Sequence, residues 1–240
     1  MRTELNETPG QTLRIGYSIS LSGPVAENTK AVMLAQSIWE EEINKKGGLL
    51  GRRVELICHN DNGQASQVSA IYKKLLDDEK VDMVLGGYGT NTILASMPVV
   101  MERNRFLLGL MGLGVNLDLK YPNYFAMIPT GPKPNSSLTE GFFSLASVQN
   151  PRPVTVAVLS ADAEFSKNPV VGAKENAEKY GFQIVYEDTY PLSTDDYTSI
   201  IDKVKATDAD LFFICSYLND SIGLVRALHK SDYRPKMVGG

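Results

Sequence analysis

The stretch VDMVLGGYGTNTILASMPVVMERN, residues 81–104, decides how this chain is read. Met83, Val84 and Leu85 form a β-rich run, and Gly86, Gly87 and Gly89 then crowd into four residues. Thr90, Asn91 and Thr92 follow, and a helical pattern continues to Asn104. A strand that enters a helix through a turn almost bare of side chains lets something small reach the unpaired N–H groups at the helix start. Those groups carry a partial positive charge, so the turn suits an anion.

Strand-helix alternation extends in both directions from this stretch. LRIGYSI (13–19) reads as a strand before a helix over 27–46. In that helix Val32, Ala35, Trp39 and Ile43 share one face, with Ala31, Leu34 and Ile38 beside them, which predicts a core-facing stripe. Gly47 and Gly48 stop it. RVELICH (53–59), a helix over 65–79, the strand DMVL (82–85), the helix after Thr90 and the strand RFLLGL (105–110) complete four strand-helix units. The strands are apolar throughout rather than alternating, the pattern of a parallel sheet covered on both faces.

A second series begins at YFAMI (124–128). The loop PTGPKPNSS (129–137) has three prolines within six residues and is the best candidate for a lobe boundary, giving an N-terminal lobe 1–129 and a second lobe 130–240. Helices are expected over 136–148, 168–180 (closed by Gly181) and 219–231, and strands at PVTVAVLS (153–160), FQIVYE (182–187) and DLFFICSY (210–217). Tyr197, Ile200, Ile201 and Val204 mark a further helix after LSTDD. PKMVGG (235–240) starts another strand, and a strand ending on two glycines suggests that residues are missing or that the fold is completed by another segment.

Composition narrows the function. Of 240 residues, 43% are hydrophobic and 22% charged, ordinary values for a globular protein. A net charge of −4 argues against nucleic acid or an anionic membrane as partner. No apolar run has the length of a membrane span. The polar start MRTELNETPGQT has no export-signal core, which fits either a cytosolic protein or the processed form of an exported one. Cys58 and Cys215 lie in apolar runs and read as two buried thiols.

Enzyme signatures are incomplete. Gly112-Leu113-Gly114 is followed by Leu117, and Gly87-Tyr88-Gly89 by Thr92, where a dinucleotide fingerprint needs a third glycine. There is no triphosphate-binding loop and no nucleophile elbow. His59 and His229 are 170 positions apart and read as surface or strand-end residues. Asp195-Asp196 precede an apolar helical stripe and read as helix-capping residues. The clusters at 40–42 and 77–79 read as solvated helix faces. Neither a catalytic set, a metal site nor a cofactor is expected.

EINKKGGLLGRRVELICHND (42–61), preceded by LSGPVAENTKAVMLA (21–35), resembles the first βαβ unit of the type I periplasmic solute-binding proteins, in the branch serving branched-chain amino acid-type ABC transporters. ASQVSAIYKKLLDDEKVDMVLGG, YPNYFAMIPTG and DDYTSIIDKVKATDADLFFICSY extend the likeness over residues 13–240. The resemblance implies two Rossmann-like α/β lobes of parallel sheet that close on a small ligand, with a first crossover near Thr130 and about the last third of such a protein beyond Gly240. It implies a periplasmic, monomeric protein that hands a carboxylate-bearing or amide ligand (an amino acid, an aromatic acid or an aliphatic acid) to an ABC permease. A ligand sensor on the same fold and a Rossmann-type enzyme are the rival readings.

The same resemblance implies site residues. Thr90 would hold a ligand carboxylate at the helix start, with Gly89 giving access; a plain turn with Thr90 as N-cap is the alternative. Gly112 would offer a carbonyl to a ligand amine, and Gly114 an N–H. The acid that balances an ammonium in amino-acid binders would lie past Gly240. Tyr88 and Asn28 match walls of the cleft, Ser22 is a further candidate, and Phe165 and Tyr217 match aromatics of the second lobe, though each aromatic could equally be core. Ser166 departs from the usual glycine. A disulfide of some relatives would fall at Gly63 and Gly89, so none is implied here.

Overall fold

A computed structural model of the chain describes residues 12–23, 25–128, 131–192 and 194–240. The chain divides into two compact units, Met1–Ile128 and Pro129–Gly240. The lobe crossover expected near Thr130 lies outside the described residues.

The first unit holds a five-stranded parallel sheet in the order β2-β1-β3-β4-β5. Its strands are β1 (Leu13–Ile19), β2 (Val54–Asn60), β3 (Met83–Tyr88), β4 (Leu107–Leu110) and β5 (Tyr124–Ala126). Helix α1 (Ala26–Lys45) joins β1 to β2, α2 (Ala65–Lys73) with a π-helical turn at Lys74–Asp78 joins β2 to β3, and α3 (Thr90–Glu102) joins β3 to β4. Val68, Tyr72 and Leu75 pack with Ile93, Met97, Val84 and Leu107 as the main core on one side of the sheet. The other side has a smaller cluster of Leu13, Ile15 and Val54, with Ile43 against it.

β3 runs three residues further than DMVL suggests and takes in Gly86, Gly87 and Tyr88. The glycines permit this, because Gly86 passes Gly109 of β4 so closely that a Cβ there would lie 3.1 Å from the Gly109 Cα. The β3/β4 register slips between Leu85 and Tyr88, at the same glycines.

Two expectations are corrected here. The stripe on α1 is only partly covered: Ile43 packs on the Leu13–Ile15–Val54 cluster, but Thr29 is the one buried residue of the helix, and Leu34 is 62%, Ile38 53% and Trp39 40% exposed. Sequence periodicity identifies an apolar face but says nothing of whether an element covers it. Cys58 is exposed rather than buried, whereas Cys215 is buried as expected.

The second unit holds a four-stranded parallel sheet, β7-β6-β8-β9, from β6 (Thr155–Ala161), β7 (Gln183–Tyr190), β8 (Leu211–Cys215) and β9 (Met237–Gly239). Helices α4 (Pro134–Ser147) and α5 (Glu164–Tyr180) build one core around Phe143, Phe182 and Phe213. Helices α6 (Thr198–Lys205) and α7 (Leu218–Lys230) build the other around Ile201, Val204, Phe212 and Leu224. Pro134 opens α4 from inside the proline-rich loop, where a missing N–H does no harm. α5 starts at Glu164, four residues ahead of the expected start, and keeps Pro169 inside it. Gly181 ends α5 in the left-handed conformation, at φ +72°. Asp196 accepts the Thr198 N–H at 2.9 Å at the start of α6, but it stands one residue ahead of the N-cap, which is Tyr197.

Candidate ligand-binding site

In open parallel sheets ligands gather beyond the carboxyl ends of the strands. In the first unit that end is built mostly from main chain. Gly89 is the N-cap of α3, with φ +91° and ψ 163°, a conformation in practice reserved for glycine. A Cβ built on it would meet nothing within 4 Å, so backbone conformation and not crowding demands glycine, and the space over the turn is open. Gly87 is the opposite case: its Cβ would come within 2.8 Å of Thr92 Oγ1 and 3.0 Å of Ser18 Oγ. The helical ladder begins with Ile93 N–H donating to the Gly89 carbonyl (3.2 Å), so the N–H groups at the head of the helix lie outside it.

Thr90 is the first residue of α3, and the N-cap is Gly89. Its side chain is buried, and Oγ1 accepts the Leu113 N–H at 3.0 Å. A hydroxyl has one proton and two lone pairs, so accepting from Leu113 leaves its donor function for another partner. The Leu113 bond also draws the loop after β4 onto the helix start, so that Gly112 and Gly114 flank the residue bonded to Thr90. Gly112 is buried, and a Cβ there would lie 2.6 Å from Ile93 Cδ1. Gly114 has φ +68°.

Tyr88 and Asn28 come together: Asn28 Nδ2 donates to the Tyr88 hydroxyl at 2.9 Å, and both are half-buried. Ser22 is exposed in the turn after β1. That turn is fixed by residues the sequence reading missed. Ser20 Oγ donates to Asp61 Oδ1 at 2.7 Å, the Gly63 N–H donates to the same oxygen at 3.0 Å, and Thr29 Oγ1 donates to the Ser20 carbonyl. Asp61 is fully buried. Its signal was HNDNG at the end of a strand, where a carboxylate before a glycine commonly caps a turn.

In the second unit Phe165 is the second residue of α5 and Tyr217 is the N-cap of α7. Their rings lie 5.9 Å apart at 30°. Ser166 is buried with its hydroxyl oxygen lacking a hydrogen-bond partner, so it packs inward beside Phe165. Asp220, in the first turn of α7, accepts the hydroxyls of Tyr190 and Tyr197, each at 3.1 Å. Burial, with the Asp220 charge adding to it, pushes the Tyr197 phenol up to about 12. His59 shares its Nε2 with the Glu79 carboxylate at 3.0 Å, and His229 is exposed in the last turn of α7. Among the described residues no group of three or more His, Cys, Asp or Glu could hold a metal ion, and no helix is long and apolar enough to cross a membrane.

Two units of parallel α/β sheet are the architecture of the periplasmic type of binding protein. The chain belongs to the periplasmic binding protein family, whose match runs over residues 12–240. A Leu/Ile/Val-binding protein homolog 7 of Brucella melitensis is 22% identical over 235 residues, 95% of this chain and 58% of the relative. The chain therefore spans little more than half the length of that relative. The fold is shared with the branched-chain amino acid transporter substrate-binding protein LivJ of Streptococcus pneumoniae in complex with isoleucine (TM-score 0.80, 20% identity, 96% of this chain and 64% of that one). It is also shared with an ABC transporter solute-binding protein of Rhodopseudomonas palustris BisB5 in complex with 3,4-dihydroxybenzoic acid (TM-score 0.79, 17% identity, 95% and 61%). The family and these neighbours are solute-binding proteins.

Proposed function

We propose that this chain captures a small carboxylate-bearing or amide ligand outside the cytoplasm and presents it to an ABC permease. The carboxylate sits at the head of α3, where Thr90 donates its hydroxyl proton and the backbone around Gly89 comes close. Gly112 and Gly114 supply main-chain groups beside it, and Tyr88, Asn28 and Ser22 line the approach. The observation that carries this reading is the bond from Leu113 N–H to Thr90 Oγ1, which orients a buried hydroxyl next to the open space over Gly89. No bond is made or broken; selectivity comes from a few fixed donors and aromatic walls. The solved relatives carry isoleucine in one case and a dihydroxybenzoic acid in the other, both carboxylates.

Titration calorimetry of isoleucine, benzoate and acetamide against NAD and ATP tests the proposal. A carboxylate or amide should bind and the nucleotides should not. Thr90→Ala should weaken carboxylate binding by ~1.5–3 kcal/mol, the worth of a hydrogen bond to a charged group. Unchanged affinity in the variant removes Thr90 from the site, and binding of a nucleotide alone rejects the reading.

A further inference from the structure

Two hydroxyl-bearing residues flank Gly89 in the sequence, and each hydroxyl already accepts one hydrogen bond. Thr90 Oγ1 accepts the Leu113 N–H at 3.0 Å. The Tyr88 hydroxyl accepts from Asn28 Nδ2 at 2.9 Å. A hydroxyl carries a single proton, so one that accepts from an N–H keeps that proton for a third group. Among the described residues no side chain takes the Tyr88 proton. The polarity of the pair is set by the amide: Asn28 Nδ2 can only donate, and the phenol oxygen must receive.

Both ends of the pair are anchored. Tyr88 closes β3, lies opposite Leu110 of β4, and its carbonyl accepts from Thr92 Oγ1 at 2.9 Å. Asn28 is the third residue of α1, next to Thr29, which is fully buried and donates to the Ser20 carbonyl. Ser20 Oγ donates in turn to Asp61 Oδ1 at 2.7 Å, and the Leu21 N–H donates to Asn60 Oδ1 at 3.1 Å. The turn after β2 presses on the turn after β1 so closely that a Cβ on Gly63 would lie 2.8 Å from the Ser22 carbonyl oxygen. The head of α1 is thus tied to the ends of β1 and β2, which carries the Asn28 amide to a hydroxyl 60 positions away in sequence. A donor aimed before its partner arrives loses less freedom on binding.

We propose that Asn28 is a positioning residue: it does not hold the solute but sets the Tyr88 hydroxyl as a donor toward the approach over Gly89. This rests on the binding reading above, in which Thr90 holds the carboxylate, and it adds Tyr88 as a second donor, for another acceptor oxygen of the solute.

The test is titration calorimetry of isoleucine and benzoate on the full chain and its variants. For whichever acid binds, Tyr88→Phe and Asn28→Ala should each weaken binding at least threefold. The double variant should bind as Tyr88→Phe does, because Asn28 acts only through the hydroxyl. Asn28→Asp puts an acceptor where the donor was and captures the Tyr88 proton. It should cost at least tenfold in the parent and at least threefold less in the Tyr88→Phe background, which keeps the added charge but has no proton to capture. An Asn28→Ala or Asn28→Asp penalty of the same size in both backgrounds places Asn28 on the solute itself and overturns the proposal. So does an Asn28→Ala variant that binds like the parent. If Asn28 and Tyr88 variants change nothing while Thr90→Ala weakens binding, the positioning role falls and the carboxylate reading stands. If neither acid binds, or Thr90→Ala has no effect, both fall.

Discussion

The strand ends of the two units are built from different materials. In the first unit they are backbone: a glycine at φ +91°, a helix head, and a loop tied to that helix through one buried threonine. In the second unit they are side chain: a Phe165–Tyr217 ring pair, and a core in which Phe143 touches Phe142, Phe182 and Phe213. Main-chain donors can grip any carboxylate but read little beyond it. The difference teaches that a strand end built from backbone and one built from rings respond to different kinds of mutation.

The largest expected effect tests the aromatic side of that contrast. Phe143 is fully buried and contacts Phe142, Phe182 and Phe213 with ring centroids 5.3–6.0 Å apart. Phe143→Ala should cost ~3–5 kcal/mol of stability through lost contacts and a residual cavity. Urea denaturation followed by circular dichroism would read this, and a midpoint within error of the parent would contradict a ring-built core.

The backbone side should break with a smaller and different signature. Gly89→Ala adds a methyl group that meets no neighbour, so its whole penalty is conformational, ~1–3 kcal/mol. Urea midpoints measure it, and an alanine accommodated without loss would show that the turn is not held at its glycine-only angles.

The smallest effect concerns acid. At the amino ends of its strands the second unit is knotted by Asp210, which accepts the Val154 N–H at 2.7 Å and pairs with Lys236 Nζ at 2.7 Å. Burial pushes the Asp210 carboxyl up, but Lys236 and the N–H groups of Val154 and Thr155 outweigh it and hold the carboxyl below its ordinary value. A depressed folded-state pKa stabilises in full above the unfolded carboxylate range, about 3.9, and that contribution is lost as pH falls through the lower folded value. The parent should therefore lose stability below about pH 4, and Asp210→Asn should lose less over the same interval in urea melts at pH 5 and pH 3. Parallel losses in the two proteins would discharge Asp210 from this role.

Much of the architecture was legible in sequence because apolar strands and glycine stops are local signals. Gly47-Gly48, Gly181 and the stripe of Ile201 and Val204 all act within a few residues of themselves. The errors came where the deciding neighbour is remote. α1 carries an apolar stripe, yet Leu34, Ile38 and Trp39 are exposed, because coverage depends on other elements. α5 begins four residues before the expected start and carries Pro169 inside it, with no N–H to give the Phe165 carbonyl. Glycines 86, 87 and 89 announced an approachable turn, but the Thr90–Leu113 bond spans 23 positions and the Ser20–Asp61 bond 41. No local pattern encodes such pairings. Their individual residue types were visible; their convergence was not.

The exposed stripe on α1 has an optical corollary. Trp39 is the only tryptophan in the sequence, and it stands on the solvent side of a helix, whereas Thr90 and its partners carry no indole at all. Intrinsic fluorescence from this protein is thus a gauge of what touches that helix face. Spectral shifts on excitation of the indole would belong to a body settling on α1, and a change confined to the turn at Gly89 would have to be followed by heat or by the tyrosines.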